Sequence, residues 1–477
     1  MAMLEQREAT PITHHYADGA PPRLSGGLPL IGHTLEFARD TVGLLFRAQR
    51  ECGEVAEFKA AHRRMVLMSG PAAAEAVFTA PDEVMSQREV YKIMTPVFGQ
   101  DVAYDATPER MREQLGLLMP ALRHIRLQSY VEVVADEVLK YIGDWGEEGE
   151  IDLLDFGKEL TNYTSSACLL GPEFRQEMSS EFSHVYHDLE QGITPVAYIN
   201  PYLPLPAFRK RDRARVRLVQ LIGDVMARRR SRGGDKGYDF LQTLMDAQYQ
   251  DGTRLSEHEV TGILLAVMFA GHHTSSVTTA WTLLELLQHP SYLARVEAEL
   301  QQVYDGDPLD QMTFAHLRRV EQLERGIKES LRLHPPLFML LRYAAQDFHY
   351  GGYRIPRGTF VIVAPQVCNR LPEVFRDPNR FDPDRFGPGR EEDQRPFAFL
   401  TFGGGRHKCM GHPFAFLQIK TIFSILLRSF DFELTSDPIQ PNFKGLVVGP
   451  EQPCRVRYRR RRDAPPARSP RAAEAAE

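Results

Sequence analysis

The sequence predicts a single, mainly α-helical domain of the α+β class, with a large helical part and a smaller β-rich part. Three observations predict it. Apolar residues recur at helical spacing over 130–170 and 181–191, as in Val131, Val134, Val138 and Ile142. A capping box, Ser256-Glu257-His258-Glu259, opens an apolar run that reaches a stop at His289-Pro290, a rod of about 50 Å at ~1.5 Å per residue. Strand-like runs lie at 54–59 and 64–68, and 353–363 alternates as a hairpin does. With 477 residues, 43% of them hydrophobic, the chain can bury a large core, and no linker divides it.

A net charge of −6 gives no bulk electrostatic case for nucleic acid. Cys52, Cys168, Cys368, Cys409 and Cys454 are odd in number and unevenly spaced, which argues for a reducing compartment. Residues 1–20 have no apolar core and read as a flexible N-terminus without signal peptide or membrane anchor. The apolar stretch of the long helix reads as too short to span a bilayer, so a cytoplasmic protein is expected. From Ala20 to Gly32 a Pro/Gly-rich arm is extended. The body of the domain is expected over 21–458. Residues 459–477, rich in Arg, Pro and Ala, read as a disordered tail or a linker to a further module.

The chemistry centres on Phe402-Gly403-Gly404-Gly405-Arg406-His407-Lys408-Cys409-Met410-Gly411, just before a helical run from Pro413. Basic neighbours and the following helix N-terminus favour a thiolate at Cys409, and a thiolate is a metal ligand. Gly405 and Gly411 let the backbone approach a flat macrocycle, with Phe402 beside it. The stretch reads as a haem-binding loop, against the alternative of a structural cysteine in a turn. Ala270-Gly271-His272-His273-Thr274 interrupts the long helix with a glycine and a hydroxyl. An interior glycine costs on the order of 1 kcal/mol against alanine, and a gap for dioxygen beside Thr274 offsets that cost. The basic run 209–215 reads as a solvated helix face. Residues 192–206, broken by Pro and Gly, read as a mobile lid over an apolar pocket.

These motifs resemble the cytochrome P-450 family: the cysteine loop, the Ala-Gly-x-x-Thr of the oxygen-side helix, and Glu329-x-x-Arg332 followed by Pro383-Asp384-Arg385-Phe386. A second set resembles the sterol 14α-demethylases. It comprises Tyr91 followed by Pro96-Val97-Phe98-Gly99 and Val102-Ala103-Tyr104-Asp105, then Asp188 to Pro195, and histidine rather than an acid at 273.

The resemblance implies the P-450 fold around one haem b, with Cys409 as axial thiolate ligand. It implies that Tyr91, Gln87, Arg112, Arg342 and His407 meet the haem propionates, and that Glu329, Arg332 and Arg385 form a structural triad. Tyr104, Ile93, Phe98, Phe269 and Ala270 would line the substrate cavity, and the aliphatic Ile93 implies a C4-dimethylated sterol. Thr274 and His273 would carry protons. The implied function is oxidative removal of the 14α-methyl group of a sterol such as lanosterol, using dioxygen. Electrons would come from NAD(P)H through a ferredoxin-type partner docking near Arg406 and Lys408, since no dinucleotide-binding motif is present. Two alternatives stay open: a hydroxylase of another terpenoid or steroid, and a haem protein that binds a ligand without turnover.

Overall fold

The computed structural model describes residues 19–467, apart from 61–62, 123, 172–174, 176–179, 194–196, 198–199, 233–239, 437–438 and 444. Of the stretch 1–20 expected to be flexible, residues 1–18 lie outside the described residues, as do the end of the tail and most of 194–199, whereas the Gly19 carbonyl accepts from the Arg354 amide at 2.9 Å.

The helices that matter here are α1 Pro108–Gly116, α2 His124–Ile142, α3 Leu153–Leu169, α4 Ser180–Glu190, α5 Pro206–Arg232, α6 Glu257–Gln288, α7 Pro290–Tyr304, α8 Glu321–Leu333 and α9 His412–Ser429. Helix α6 runs through the centre and packs on α3, α5, α8 and α9. Its capping box is present: Ser256 Oγ accepts from the Glu259 amide while the Glu259 carboxylate accepts from the Ser256 amide. Contrary to the sequence expectation, α6 is long and apolar enough, by length and composition, to cross a membrane; its apolar window is 61% buried, as in a core helix.

The main sheet contains β1 Val55–Ala60, β2 Arg63–Met68, β3 Met85–Ser86, β5 Leu340–Ala344 and β8 Phe360–Val363, in the order β1-β2-β8-β5-β3; only β2–β8 is parallel. A hairpin joins β6 Phe348–Tyr350 to β7 Tyr353–Ile355. Residues 353–363 are therefore not one hairpin. Tyr353–Ile355 pairs backwards and Phe360–Val363 enters the main sheet, because the turn at Gly358 (φ +91°) sends the chain away.

The helical stretch expected over 130–170 is also broken. β4, Glu148–Asp152, separates α2 from α3 and pairs with the C-terminal strand Arg455–Arg460, whose other edge holds Phe430–Leu434. That C-terminal strand passes the expected boundary at 458. Beyond it, the Pro466 carbonyl accepts from the Leu309 amide, so the described part of the tail is packed.

Candidate active site

Backbone bonds and aromatic contacts hold the Cys409 loop. The Cys409 amide donates to the Phe402 carbonyl at 2.9 Å. The Phe402 ring lies edge-on to His412 at 4.4 Å and near Phe416 at 5.9 Å. Cys409 itself is exposed. Although solvent reaches the residue, the surrounding protein pushes its thiol up; the amides of Gly411 and His412 and the Lys408 ammonium act the other way. Without a metal, burial is the larger influence on this thiol. A bound metal cation deprotonates a coordinating thiol outright.

Gly405 sits at φ +61°, and a Cβ there would stand 2.0 Å from the Phe78 carbonyl. Its glycine is required by contact with the preceding helix, Pro71–Thr79, and not only by a cofactor. Gly411 is at an ordinary φ of −76°, and a Cβ would meet Cys409 Sγ at 3.8 Å.

The sheet builds a buried cation on the other side. β3 pairs with β5 through Ser86 and Tyr343, so Gln87 arrives beside Arg342. With its amide oxygen toward the guanidinium, Gln87 accepts from both Nη atoms at 3.1 and 2.9 Å. Arg342 is 4% exposed, and burial lowers its guanidinium from the ordinary value. Among the described residues it makes no ion pair; Asp82 acts on it only through space and is itself 2.5 Å from His407 Nε2. His407 is thus turned onto Asp82. Arg112 is not brought to this cluster: its Nε donates to the Pro108 carbonyl in its own helix, and its side chain is largely exposed beside Glu109.

Tyr91 and Tyr104 stack with centroids 4.6 Å apart. Burial raises the Tyr104 phenol, with Tyr91 adding to the shift, Arg342 opposing it and Cys409 acting on it as well. Ile93, Phe98 and Val102 share one core cluster with the partly buried Tyr104 and Phe269. Phe98 meets Phe269 edge-on at 6.1 Å, and Phe269 meets His273 at 4.8 Å. Ala270 is exposed, and its carbonyl accepts from the Thr274 hydroxyl at 2.6 Å. A Cβ at Gly271 would meet Ser165 Oγ at 3.7 Å, so protein packing does not itself demand that glycine.

His273 Nε2 lies 2.7 Å from Glu190 Oε1, and the ligand atoms of Glu190, His272 and His273 lie within 4.8 Å of one another. Burial presses the Glu190 carboxyl up, but the bond from His273, the two imidazoles and the Tyr186 hydroxyl together lower it from its ordinary value. His272 is buried, which lowers its imidazole to about 4. Its Nδ1 is 3.4 Å from Thr161 Oγ1 on α3, so it bonds across to a neighbouring helix rather than within its own.

Glu329, Arg332 and Arg385 form one ion group with fully buried side chains. Arg332 Nε and Nη2 donate to the two Glu329 oxygens at 2.7 and 2.8 Å, and Arg385 Nε donates at 3.0 Å. Arg332 Nη1 also reaches the Asn369 and Pro378 carbonyls, which pins the chain leading to the cysteine loop.

Comparison with known proteins decides the family. The cytochrome P450 family model matches residues 21–457. A sterol 14α-demethylase of Mycolicibacterium vanbaalenii is 45% identical over 447 residues, 92% of this chain and 98% of its own. An obtusifoliol 14-alpha demethylase of Triticum aestivum is 40% identical over 93% of this chain and 99% of its own. The chain belongs to the cytochrome P450 family, in its sterol 14α-demethylase branch. The fold agrees: a retinoic-acid-bound cyanobacterial P450, CYP120A1, superposes with a TM-score of 0.80 at 25% identity, over 93% of this chain and 99% of that one.

Membership in the P450 family implies a haem with cysteine-thiolate ligation, and the residues present fit one. The donor set offers a thiol flanked by helix-terminal amides and a buried guanidinium that, among the described residues, makes no ion pair. A haem carries matching groups, a metal for the sulfur and propionates for the cation. Three polar residues of this P450 site escape sequence reasoning. Glu190 lies inside the Asp188–Pro195 motif and carries no signal of its own, Asp82 follows Pro81 in a plain turn, and Arg215 is hidden in a basic run. That run is a solvated face only in part: Arg209, Lys210, Asp212 and Arg213 are exposed, whereas Phe208, Arg211, Arg215, Leu218 and Ile222 share one buried helical stripe.

Proposed function

We propose that this P450 removes the 14α-methyl group of a sterol such as lanosterol, taking the methyl to alcohol and aldehyde and then cleaving the C–C bond. Each of the three oxidations uses one dioxygen and two electrons; the last releases formate and leaves a ring double bond. The reading is carried by near full-length identity of 45% to a curated bacterial sterol 14α-demethylase.

When bound, haem supplies the oxygen-activating chemistry. Cys409 would bind its iron, and Arg342, Gln87 and Tyr91 would hold its propionates. His407 orients the loop through Asp82 while leaving Nδ1 for a propionate, and Arg112 contributes only after swinging in from Glu109. Phe402, Gly405 and Gly411 shape the loop itself. Tyr104, Ile93, Phe98, Phe269 and Ala270 form the apolar wall that excludes water from the sterol methyl, and the aliphatic Ile93 favours C4-dimethylated sterols. His273, held by Glu190, and the Thr274 hydroxyl move protons to the reacting side, a task that an imidazole and a hydroxyl can share. Glu329, Arg332 and Arg385 serve the fold around the loop.

Electrons come from NAD(P)H through a ferredoxin-type donor docking near Arg406 and Lys408, either separate or joined through the tail. The cytoplasm is the proposed place of action, a reading supported by the similarity to bacterial enzymes. Titration of the ferric protein with lanosterol, followed at the Soret band against a 14-desmethyl control, tests the assignment. A shift to high spin with lanosterol alone is expected. A response only to other terpenoids would move the substrate class.

A further inference from the structure

Arg215 lies on α5, 7% exposed, in a place where a basic side chain is costly. Burial lowers its guanidinium to about 10, and no carboxylate shares that shift. Its Nη2 donates to the Phe98 carbonyl at 2.8 Å and to the His258 carbonyl at 3.3 Å, while Nε and Nη1 are buried without hydrogen-bond partners among the described residues. A buried arginine that spends its bonds on two carbonyls serves those carbonyls.

The Phe98 carbonyl is seated from the opposite side as well. A Cβ at Gly262 of α6 would come within 2.1 Å of it, so only glycine admits the carbonyl there. The next residue, Gly99, is at φ +111°, and a Cβ on it would meet His258 Nε2 at 2.4 Å and Arg215 Nη2 at 3.0 Å. His258 Nε2 in turn lies 3.2 Å from the Gln100 carbonyl. The loop at 98–100 is therefore clamped between α5 and α6 at consecutive residues.

The Phe98 side chain continues the connection inward, edge-on to Phe269, whose ring lies against His273. We propose that Arg215 is a positioning residue for the sterol: with Gly262 it seats the Phe98 carbonyl and thereby fixes the aromatic wall that faces the substrate. It touches neither substrate nor cofactor; it acts through Phe98. The inference rests on the sterol reading only for the identity of the ligand.

The test uses the haem-loaded protein and the variants Arg215→Met, Arg215→Lys and Gly262→Ala. Sterol dissociation, read at the Soret band in stopped flow, is expected to quicken about tenfold in Arg215→Met and Gly262→Ala, since such changes fall mainly on the off-rate. Arg215→Lys, which keeps a donor, should be intermediate. Imidazole, a small ligand for the iron that does not need the wall, should bind all forms alike.

Hydrogen exchange of the amides at 99–105 in the sterol-free protein is the independent readout. It should accelerate in Arg215→Met and Gly262→Ala relative to amides of α9. Unchanged exchange in both variants overturns the proposal, as does a change in imidazole binding equal to that for sterol. If the wild type ignores sterols, the substrate assignment fails while the exchange comparison still decides the role of Arg215. If Arg215→Met does not yield a thiolate-ligated protein, Arg215→Lys and Gly262→Ala carry the test by the same two readouts.

Discussion

His273 Nε2 and Glu190 Oε1 stand 2.7 Å apart, and that bond ties the middle of α6 to the end of α4, one residue before the Thr274 hydroxyl. It gives α6 an acid partner although its own sequence has histidine at this position. The carboxylate comes from another helix, and a single bond joins it to the residue next to Thr274.

If His273 moves protons, replacing it should lower turnover more than binding. His273→Ala is expected to reduce kcat roughly a hundredfold, the low end of general acid–base contributions, with the sterol Kd changed only a few-fold. Steady-state turnover beside spectral titration checks this. Equal losses in kcat and affinity would make His273 a wall residue.

Acid should weaken the protein in two stages. Burial lowers the imidazoles of His272 and His412 to about 4 from 6.5, so the unfolded chain takes up protons first. Their contribution is complete above about pH 6.5, shrinks as pH falls toward 4 and is then lost. Glu190, lowered from 4.5, adds a loss that starts below its ordinary value and ends below its folded one. Unfolding midpoints taken from pH 7 to pH 3 should show a shallower slope between 6.5 and 4 for His272→Asn than for the wild type. Parallel curves would contradict the burial argument.

Haem retention separates the two arginines proposed for the clamp. Arg342 is buried beside Gln87, whereas Arg112 is exposed on its own helix. A hydrogen bond to a charged group is worth about 1.5–3 kcal/mol, so Arg342→Met should speed haem loss to a scavenger by roughly ten- to a hundredfold. Arg112→Ala should change it by less than about threefold. A larger effect at Arg112 would mean that its side chain swings in once haem is bound.

Removing one member of the buried ion group leaves charges without partners. Glu329→Ala should destabilise the fold by about 3–5 kcal/mol, the usual cost of breaking a fully buried pair. Denaturant unfolding and the yield of thiolate-ligated protein measure it. A variant of near wild-type stability would contradict the packing described for Arg332 and Arg385.

Local signals were the legible ones. Ser256 and Glu259 are three residues apart, so the start of α6 could be read directly, and the Glu329–Arg332 pair shows at helical spacing. What escaped depended on distant pairing. The break at β4 exists because Ile151 meets Val456, and Glu190 finds His273 83 residues away. Gln87 and Arg342, far apart in sequence, meet through the pairing of β3 with β5. The burial of Arg215 escaped for another reason: a basic side chain reads as surface until its helix is packed on both sides.

The central claim is the reaction itself. The most direct measurement is turnover of the haem-loaded protein with a 14α-methyl sterol and a ferredoxin-based reducing system, with sterol products and formate followed by mass spectrometry. The account predicts a 14-desmethyl product with a new ring double bond and one formate per sterol, at the cost of three dioxygens. A product that keeps the 14α-methyl group and gains only a hydroxyl elsewhere, with no formate, would contradict it.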